Sequence, residues 1–225
     1  MYNNLGGSVK EIQGLKCNVP PVGKVFNKFT NQLEERPIFK RSSKKKEQFW
    51  ARPPKPNNII RRLIEQKRTR EEVPGYFETD LQVYREREWD RRINGYWFMN
   101  GGVPTYITGL HYFYLAHWRI DIGFPKFRIT DLEYFYFWDY VVEDPNCYGM
   151  VEVTQRRNGK SFRAGCSIYE TTSRYKKKRS GIQSKDLDAA ETFFDVHVVQ
   201  PYAELESIFK PEVDLEAGPT PKKKI

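Results

Sequence analysis

The chain has 225 residues, of which 39% are hydrophobic and 30% charged, and it carries a net charge of +9. This length allows one sizeable core or two small ones, while a mean hydropathy of -0.74 predicts that part of the chain lies outside any core. There is no apolar run of the roughly 18 residues that a membrane span needs and no signal-peptide core, and the three widely spaced cysteines argue against a disulfide framework or zinc site, so a soluble intracellular protein is predicted.

The positive charge is concentrated in one segment. Residues 36–70 hold thirteen Lys or Arg against two Glu, a net +11 that leaves -2 for the rest of the chain. Such a segment either contacts phosphates, because neutralising a nucleic-acid backbone releases counterions, or serves as a solvated linker. Because "SSKKKEQ" and "ARPPKPNN" are rich in charges and chain breakers, residues 1–57 are predicted to be an extended or disordered basic segment.

Residues 58–145 are predicted to form a subregion of helices and one hairpin. A cap at Asn58 and the apolar positions that follow it predict a short amphipathic helix. A second helix is predicted over "ETDLQVYREREWDRRI", which ends at Ile93. Two aromatic or β-branched runs then flank Asn100-Gly101-Gly102, and this tight-turn signal predicts a β-hairpin.

Two further helices complete this subregion. A short aromatic helix, "LHYFYLAHWRI", is predicted to follow Thr108 or Gly109. A stronger one covers "LEYFYFWDYVVE": Thr130 and Glu133 have the spacing of a capping box at its start, and Pro145 ends it.

Residues 146–210 alternate between strand-like and helix-like stretches. The β-prone "CYGMVEVT" precedes a helix-like "SFRAGCSIYETTSRY", and a short strand, "SGIQSK", precedes the helix-like "DLDAAETFFDVHVVQPYAEL", with a break expected near Pro201. The order strand, helix, strand, helix predicts an α/β fold with a parallel sheet. Residues 211–225 are predicted to be a tail or a point of truncation.

The turn between the first strand and helix of this region contains Gly159-Lys160-Ser161, the end of a phosphate-binding loop. The tripeptide occurs by chance in roughly one in ten chains of this size, but a strand before it and a helix beginning at Lys160 are the context that the motif requires. The motif's first glycine is replaced by Thr154. The alternative is a surface turn that caps an ordinary helix, although adjacent cations at Arg156 and Arg157 favour a bound anion.

These stretches resemble a known family. "VEVTQRRNGKSF", the later "GIQSKDLDAAETFF" and the upstream block from Thr105 to Pro145 are similar to the ATPase domain of the large terminase subunit of tailed bacteriophages, in particular that of crAss-like phages. The resemblance covers Gly95 to Phe209, and its strongest motif is the phosphate loop. In that family an arginine often stands at the position that Arg156 occupies here.

The resemblance implies a P-loop ATPase core that binds ATP and Mg²⁺ to drive double-stranded DNA into proheads in the host cytoplasm. The implied partners are DNA, the portal, the small terminase subunit and further copies of the motor. Lys160 would contact phosphates, Ser161 would ligate magnesium, and Arg156 would lie near the γ-phosphate and act in catalysis with Lys160. The nucleotide-binding loop would comprise Gln155, Arg156, Arg157, Asn158, Gly159, Lys160 and Ser161.

The sequence departs from the family's pattern after the loop. No apolar strand ends in Asp-Glu, since Asp195 lies in a helix-like run and Glu143 and Asp144 precede the loop, and no nuclease domain follows. No glutamine is positioned to recognise adenine, so Tyr134 or Phe135 would either stack on the base or belong to the core. An N-terminal part of the protein that binds nucleotide without turning it over is therefore expected. The alternatives are a helicase-like P-loop ATPase and a non-enzymatic nucleic-acid-binding module.

Overall fold

The computed structural model describes residues 7–12, 14–40, 49–59, 79–175 and 177–211, which form a mixture of helices and antiparallel hairpins. The chain divides into two compact units. Unit 1 comprises Met1–Pro54, Val83–Ala116 and Lys126–Glu152, and unit 2 comprises Lys55–Gln82, His117–Pro125 and Val153–Ile225. The phosphate-loop candidate therefore belongs to unit 2.

Two hairpins occupy the N-terminal part of unit 1. Strands β1 (Ser8–Ile12) and β2 (Leu15–Val19) pair with each other, as do β3 (Lys24–Asn27) and β4 (Gln32–Glu35). The prediction that residues 1–57 are extended or disordered is wrong for these strands. Each strand buries at most one side chain, which is too few to produce a recognisable apolar period. Residues 1–6, 13 and 41–48 lie outside the described part of the chain.

The predicted hairpin at Asn100-Gly101-Gly102 is confirmed. Strand β5 (Tyr96–Asn100) pairs with β6 (Val103–Ile107), and Asn100 lies opposite Val103. Gly101 and Gly102 both have positive φ, 57° and 83°, as a type I′ turn requires. The far edge of β5 is bonded to the backbone of Phe39, which donates to the Trp97 carbonyl at 2.9 Å and accepts from Met99 at 3.0 Å.

Three helices pack with these strands in unit 1. Helix α1 (Thr79–Asn94) confirms the helix predicted to end near Ile93, and every residue of α2 (Gly109–Ala116) is buried. The earlier helix predicted from Asn58 lies largely outside the described residues, although residues 57–59 are helical.

Helix α3 (Ile129–Glu143) does not begin with the predicted capping box. Its N-cap is Arg128, whose side chain makes no capping hydrogen bond, so Thr130 lies inside the helix. Instead, the Arg128 guanidinium donates two hydrogen bonds, of 2.8 and 2.9 Å, to the buried carboxylate of Asp131. The paired carboxylate in the first turn complements the helix dipole, which is the stabilisation that a capping box would have supplied.

Four short helical elements follow helix α4 (Lys160–Arg174) in the described part of unit 2. They are α5 (Leu187–Phe194), a π-helical turn (Asp195–Val199), α6 (Gln200–Glu204) and a 3₁₀ turn (Ser207–Phe209). The chain does not break at Pro201 as predicted. Pro201 has no amide proton for the carbonyl of His197, and the chain widens to a π-helical turn there, with the Gln200 amide donating to the carbonyl of Asp195.

The two strands predicted around the phosphate loop are not formed. Residues 147–154 and 181–185 have no strand structure, and all the strands named above pair antiparallel, so the predicted parallel sheet is absent from the described residues. A strand requires a neighbour to pair with its backbone N–H and C=O groups. Val151 and Val153 are both about nine-tenths exposed, so they pack against none of the described residues to any extent.

Candidate phosphate-binding loop

Two residues of the loop before α4 have left-handed backbone conformations. Arg157 has φ of 66° and Gly159 has φ of 72°, whereas Asn158 between them and Lys160 after them are not in the left-handed region. Positive φ at alternate residues is compatible with a nest, a backbone conformation in which successive N–H groups line a concavity that binds anions. For Arg157, a residue with a Cβ, the left-handed conformation costs about 1–2 kcal/mol, so the rest of the loop must stabilise it.

The first turn of α4 leaves its amide donors available. Gly159 is the N-cap and has no side chain to accept a hydrogen bond from them, and no acidic residue stands in the first turn. Unpaired N–H groups at a helix start carry the positive end of the helix dipole. The position is therefore electrostatically suited to a phosphate.

The side chains predicted to contact a nucleotide surround this turn. Gln155, Arg156, Arg157 and Lys160 are exposed, while Asn158, Gly159 and Ser161 are half-buried. All seven are consecutive in the chain, so one loop brings them together. The exposed cations can approach an anion from solvent, while the half-buried residues are supported by the helix beneath them.

One functional residue was missed at the sequence level, Arg163. It is 1% exposed, its backbone amide donates to the Gly159 carbonyl at 3.2 Å, and its guanidinium donates to the Asn158 carbonyl at 3.0 Å. Arg163 therefore holds two successive carbonyls of the loop. The signal available in the sequence was its spacing, because Arg163, Cys166, Ser167 and Glu170 recur at the interval of one helix face, and all four are buried.

Helix α4 is anchored at both ends of that buried face. The Tyr169 hydroxyl donates to the Phe209 carbonyl at 2.9 Å, and its ring lies 5.1 Å from that of Trp118. Near the loop, Gly165 lies against the backbone of His197, where a Cβ would be 2.2 Å from the carbonyl oxygen. Only a glycine permits this approach.

His197 itself packs between two aromatic rings. The centroid of its imidazole lies 4.5 Å from the ring centroid of Phe162 and 4.8 Å from that of Phe193. Burial lowers the pKa of His197, outweighing the opposite effect of Asp121. The imidazole is therefore neutral at pH 7 and acts as a packing group beside the first turn of α4.

Two of the acidic residues considered for hydrolysis, Asp195 and Glu143, have other partners in the described structure. Asp195 lies in the π-helical turn, where it accepts from Gln200 at 3.2 Å, and Glu143 in unit 1 pairs with Lys28 at 3.1 Å. Within the described ranges there is no group of three or more His, Cys, Asp or Glu side chains that could hold a metal ion. Phe135, one of the two candidates for base stacking, is buried in unit 1 with its ring 4.6 Å from that of His111, and belongs to the core.

Two cations of the basic segment at residues 36–70 have partners inside the protein. Arg36 pairs with Asp90 at 2.8 Å and Glu34 at 2.7 Å, and the hydrogen bonds that Arg36 donates to Asp90 raise the pKa of Arg36 despite partial burial. Lys55 pairs with Glu206. Residues 41–48 and 60–70 lie outside the described part, so phosphate contact by this segment stays a prediction.

None of the described helices is long and apolar enough to cross a membrane. No protein-family model, curated protein or solved structure matches the chain. The loop geometry and the sequence motif are therefore the grounds on which a function can be argued.

Proposed function

We propose that Thr154–Ser161 binds the phosphates of ATP, and that the chain is the N-terminal ATPase-domain part of a phage terminase large subunit, a motor that moves double-stranded DNA into proheads. The observation that carries this proposal is the positive φ of Arg157 and Gly159 in the loop directly before α4. A chance Gly-Lys-Ser on an ordinary helix has no need of a left-handed arginine two residues before the glycine, a conformation that is costly for a residue with a Cβ.

Each side chain of the loop has a role in this proposal. Lys160, exposed at the first helical position, would contact the β- and γ-phosphates. Arg156 would lie near the γ-phosphate and offset the charge that develops on it during transfer. Ser161, half-buried one residue further on, offers a hydroxyl oxygen of the kind that Mg²⁺ accepts. A bound Mg²⁺ would neutralise phosphate charge.

The fold proposed with this function is a P-loop core, and the partners are those of a packaging motor. They comprise double-stranded DNA, the portal, the small terminase subunit and further copies of the chain, in the host cytoplasm. Because the described residues contain no group of three or more His, Cys, Asp or Glu side chains that could hold a metal ion, we propose that this chain binds ATP more readily than it hydrolyses it.

The proposal is tested by nucleotide binding to the full chain. MgATP at about 100 times its Kd is expected to stabilise the protein by about 2.7 kcal/mol, seen as a rise in Tm. Lys160→Ala is expected to weaken binding by about 100-fold in calorimetry, because a charge-assisted contact to phosphate is lost. Lys185→Ala is the matched control: this lysine, also in unit 2, has an 83% exposed side chain and is expected to leave binding unchanged.

Other results would favour the alternatives. If MgATP neither raises Tm nor binds in calorimetry, while duplex or single-stranded DNA binds equally well to the parent and to Lys160→Ala, the chain is a nucleic-acid-binding module and its Gly-Lys-Ser is incidental. If MgATP binds but DNA duplex does not, while a single strand does, the helicase-like ATPase is favoured.

A further inference from the structure

Arg163 is a charged side chain in an unusual place. It is almost fully buried, at 1% exposure, and it stands on the first turn of α4, three residues after Lys160. Burying a guanidinium is costly unless its donors are used. One of those donors, Nη1, is directed at the backbone of the loop and lies 3.0 Å from the Asn158 carbonyl oxygen.

The contact between Arg163 and the Asn158 carbonyl fixes the direction of the Gly159 amide, because both groups belong to one planar peptide unit. The bond between Asn158 and Gly159 is trans, since the described residues contain no cis peptide bond, and in a trans peptide the C=O and N–H groups point in opposite directions. When Arg163 holds the Asn158 carbonyl toward the helix, the amide of Gly159 must point away from it. That side is the one on which an anion at the start of α4 would be bound.

The same residue fixes the next carbonyl. The backbone amide of Arg163 donates to the Gly159 carbonyl at 3.2 Å, the first intrahelical hydrogen bond of α4. By the same reasoning the amide of Lys160 points away from that carbonyl. Two successive carbonyls are thus held on the helix side, and two successive amides are free to face a ligand.

We infer that Arg163 is a positioning residue that orients the Gly159 amide for phosphate, an inference that rests on the proposed function. It does not touch the ligand. It offsets the cost of the left-handed conformation at Arg157 by holding the peptide unit between Asn158 and Gly159, so that the loop is formed before nucleotide arrives.

The test compares nucleotide affinity with stability in the full chain. Arg163→Met keeps the length and apolar stem of the side chain but removes the donor, so we expect MgATP to bind about 10-fold more weakly. Arg163→Lys restores one donor and is expected to recover affinity to within about 3-fold of the parent. Arg92→Met in unit 1 is the matched control, since this arginine is equally buried and the substitution is expected to lower Tm without changing affinity.

A second readout separates positioning from simple folding. In ¹⁵N-resolved NMR of the full chain, MgATP is expected to shift the Gly159 amide strongly in the parent and Arg163→Lys, and much less in Arg163→Met. If Arg163→Met does not fold, the MgATP affinities of the parent, Arg163→Lys and Arg163→Gln are compared instead. The glutamine side chain is a neutral donor, so Arg163→Gln is expected to bind MgATP more weakly than Arg163→Lys. If Arg163→Met binds MgATP as tightly as the parent, the inference is overturned and the proposed function stands; Arg163→Gln decides in the same way if Arg163→Met does not fold. If the parent itself does not bind MgATP, both the inference and the proposed function are overturned.

Discussion

Gly165→Ala is expected to lower the free energy of unfolding by about 3 kcal/mol. The added methyl would lie 2.2 Å from the carbonyl oxygen and 2.9 Å from the carbonyl carbon of His197. Both atoms are backbone, so a change of side-chain rotamer cannot relieve the overlap. Helix α4 and the π-helical turn must therefore move apart, and the buried contacts between them are lost. Urea unfolding followed by far-UV circular dichroism measures the change.

Gly181→Ala is the matched control for this prediction. A Cβ at position 181 meets nothing within 4 Å, and Gly181 does not have a positive φ, so its substitution is expected to be neutral or slightly stabilising. The same pair also tests the packing beside the loop. If Gly165→Ala unfolds at the same urea concentration as Gly181→Ala, then α4 does not lie against His197 as closely as described.

The sequence predicted correctly the elements whose structure depends on residues close together in the chain. The hairpin at Asn100-Gly101-Gly102 follows from two residues that accept positive φ, and helix α1 follows from its apolar spacing. The π-helical turn was not predicted, because it depends on a proline and on a helix packed against it. The N-terminal hairpins were missed since their strands bury one side chain or none.

The two strands predicted around the phosphate loop are the reverse case, because they were predicted and are not formed. "CYGMVEVT" has β propensity, but propensity describes how well residues fit a sheet and does not supply the strand beside them. Val151 and Val153 have the alternation of a strand and are nevertheless exposed. The order strand, helix, strand, helix led to the expectation of a parallel sheet, and the described residues do not contain one.

The residues of the candidate site could be predicted from the sequence, but the contacts that hold the loop in place could not. Gln155 to Ser161 are contiguous, so a motif locates them together. Arg163 could be placed on a buried face by its spacing, but its contact with the Asn158 carbonyl depends on where the loop turns. The ion cluster of Lys55, His117 and Glu206 could not be predicted, because Lys55 and Glu206 are 151 residues apart in the chain.

The cluster of Lys55, His117 and Glu206 is expected to make the free energy of unfolding depend on pH. The side chain of Glu206 is 14% exposed, accepts from the Nδ1 atom of His117 at 3.0 Å and pairs with Lys55. Burial alone would raise the pKa of Glu206, but the charges and hydrogen bonds of His117 and Lys55 outweigh it and lower the pKa to about 2. The ionised carboxylate is thus more stable in the folded protein than in the unfolded chain, where its pKa is about 4.3.

The sign of the pH dependence follows from this difference. A carboxylate whose pKa is depressed by folding contributes stability above its unfolded pKa, and the contribution is lost as pH falls from about 4.3 toward about 2. The full contribution is about 3 kcal/mol. Glu206→Gln is expected to lose that amount at pH 7, since Lys55 and His117 would then face a neutral amide in place of a carboxylate. In urea unfolding at a series of pH values, the difference between parent and variant is expected to shrink steadily below pH 4.3.

Glu204→Gln is the control that distinguishes the effect of the buried Glu206 from the effect of removing any carboxylate. Glu204 is two residues away, has a 53% exposed side chain and pairs with Arg119 at 3.4 Å, an arrangement typical of surface ion pairs that contribute within about 0.5 kcal/mol. The control variant is expected to follow the parent across the whole pH series. A Glu206→Gln variant that also does so would mean that His117 and Lys55 do not stabilise the folded chain through Glu206. A difference that grows toward low pH would contradict the sign, because it would require the protonated carboxyl to be the form that folding favours.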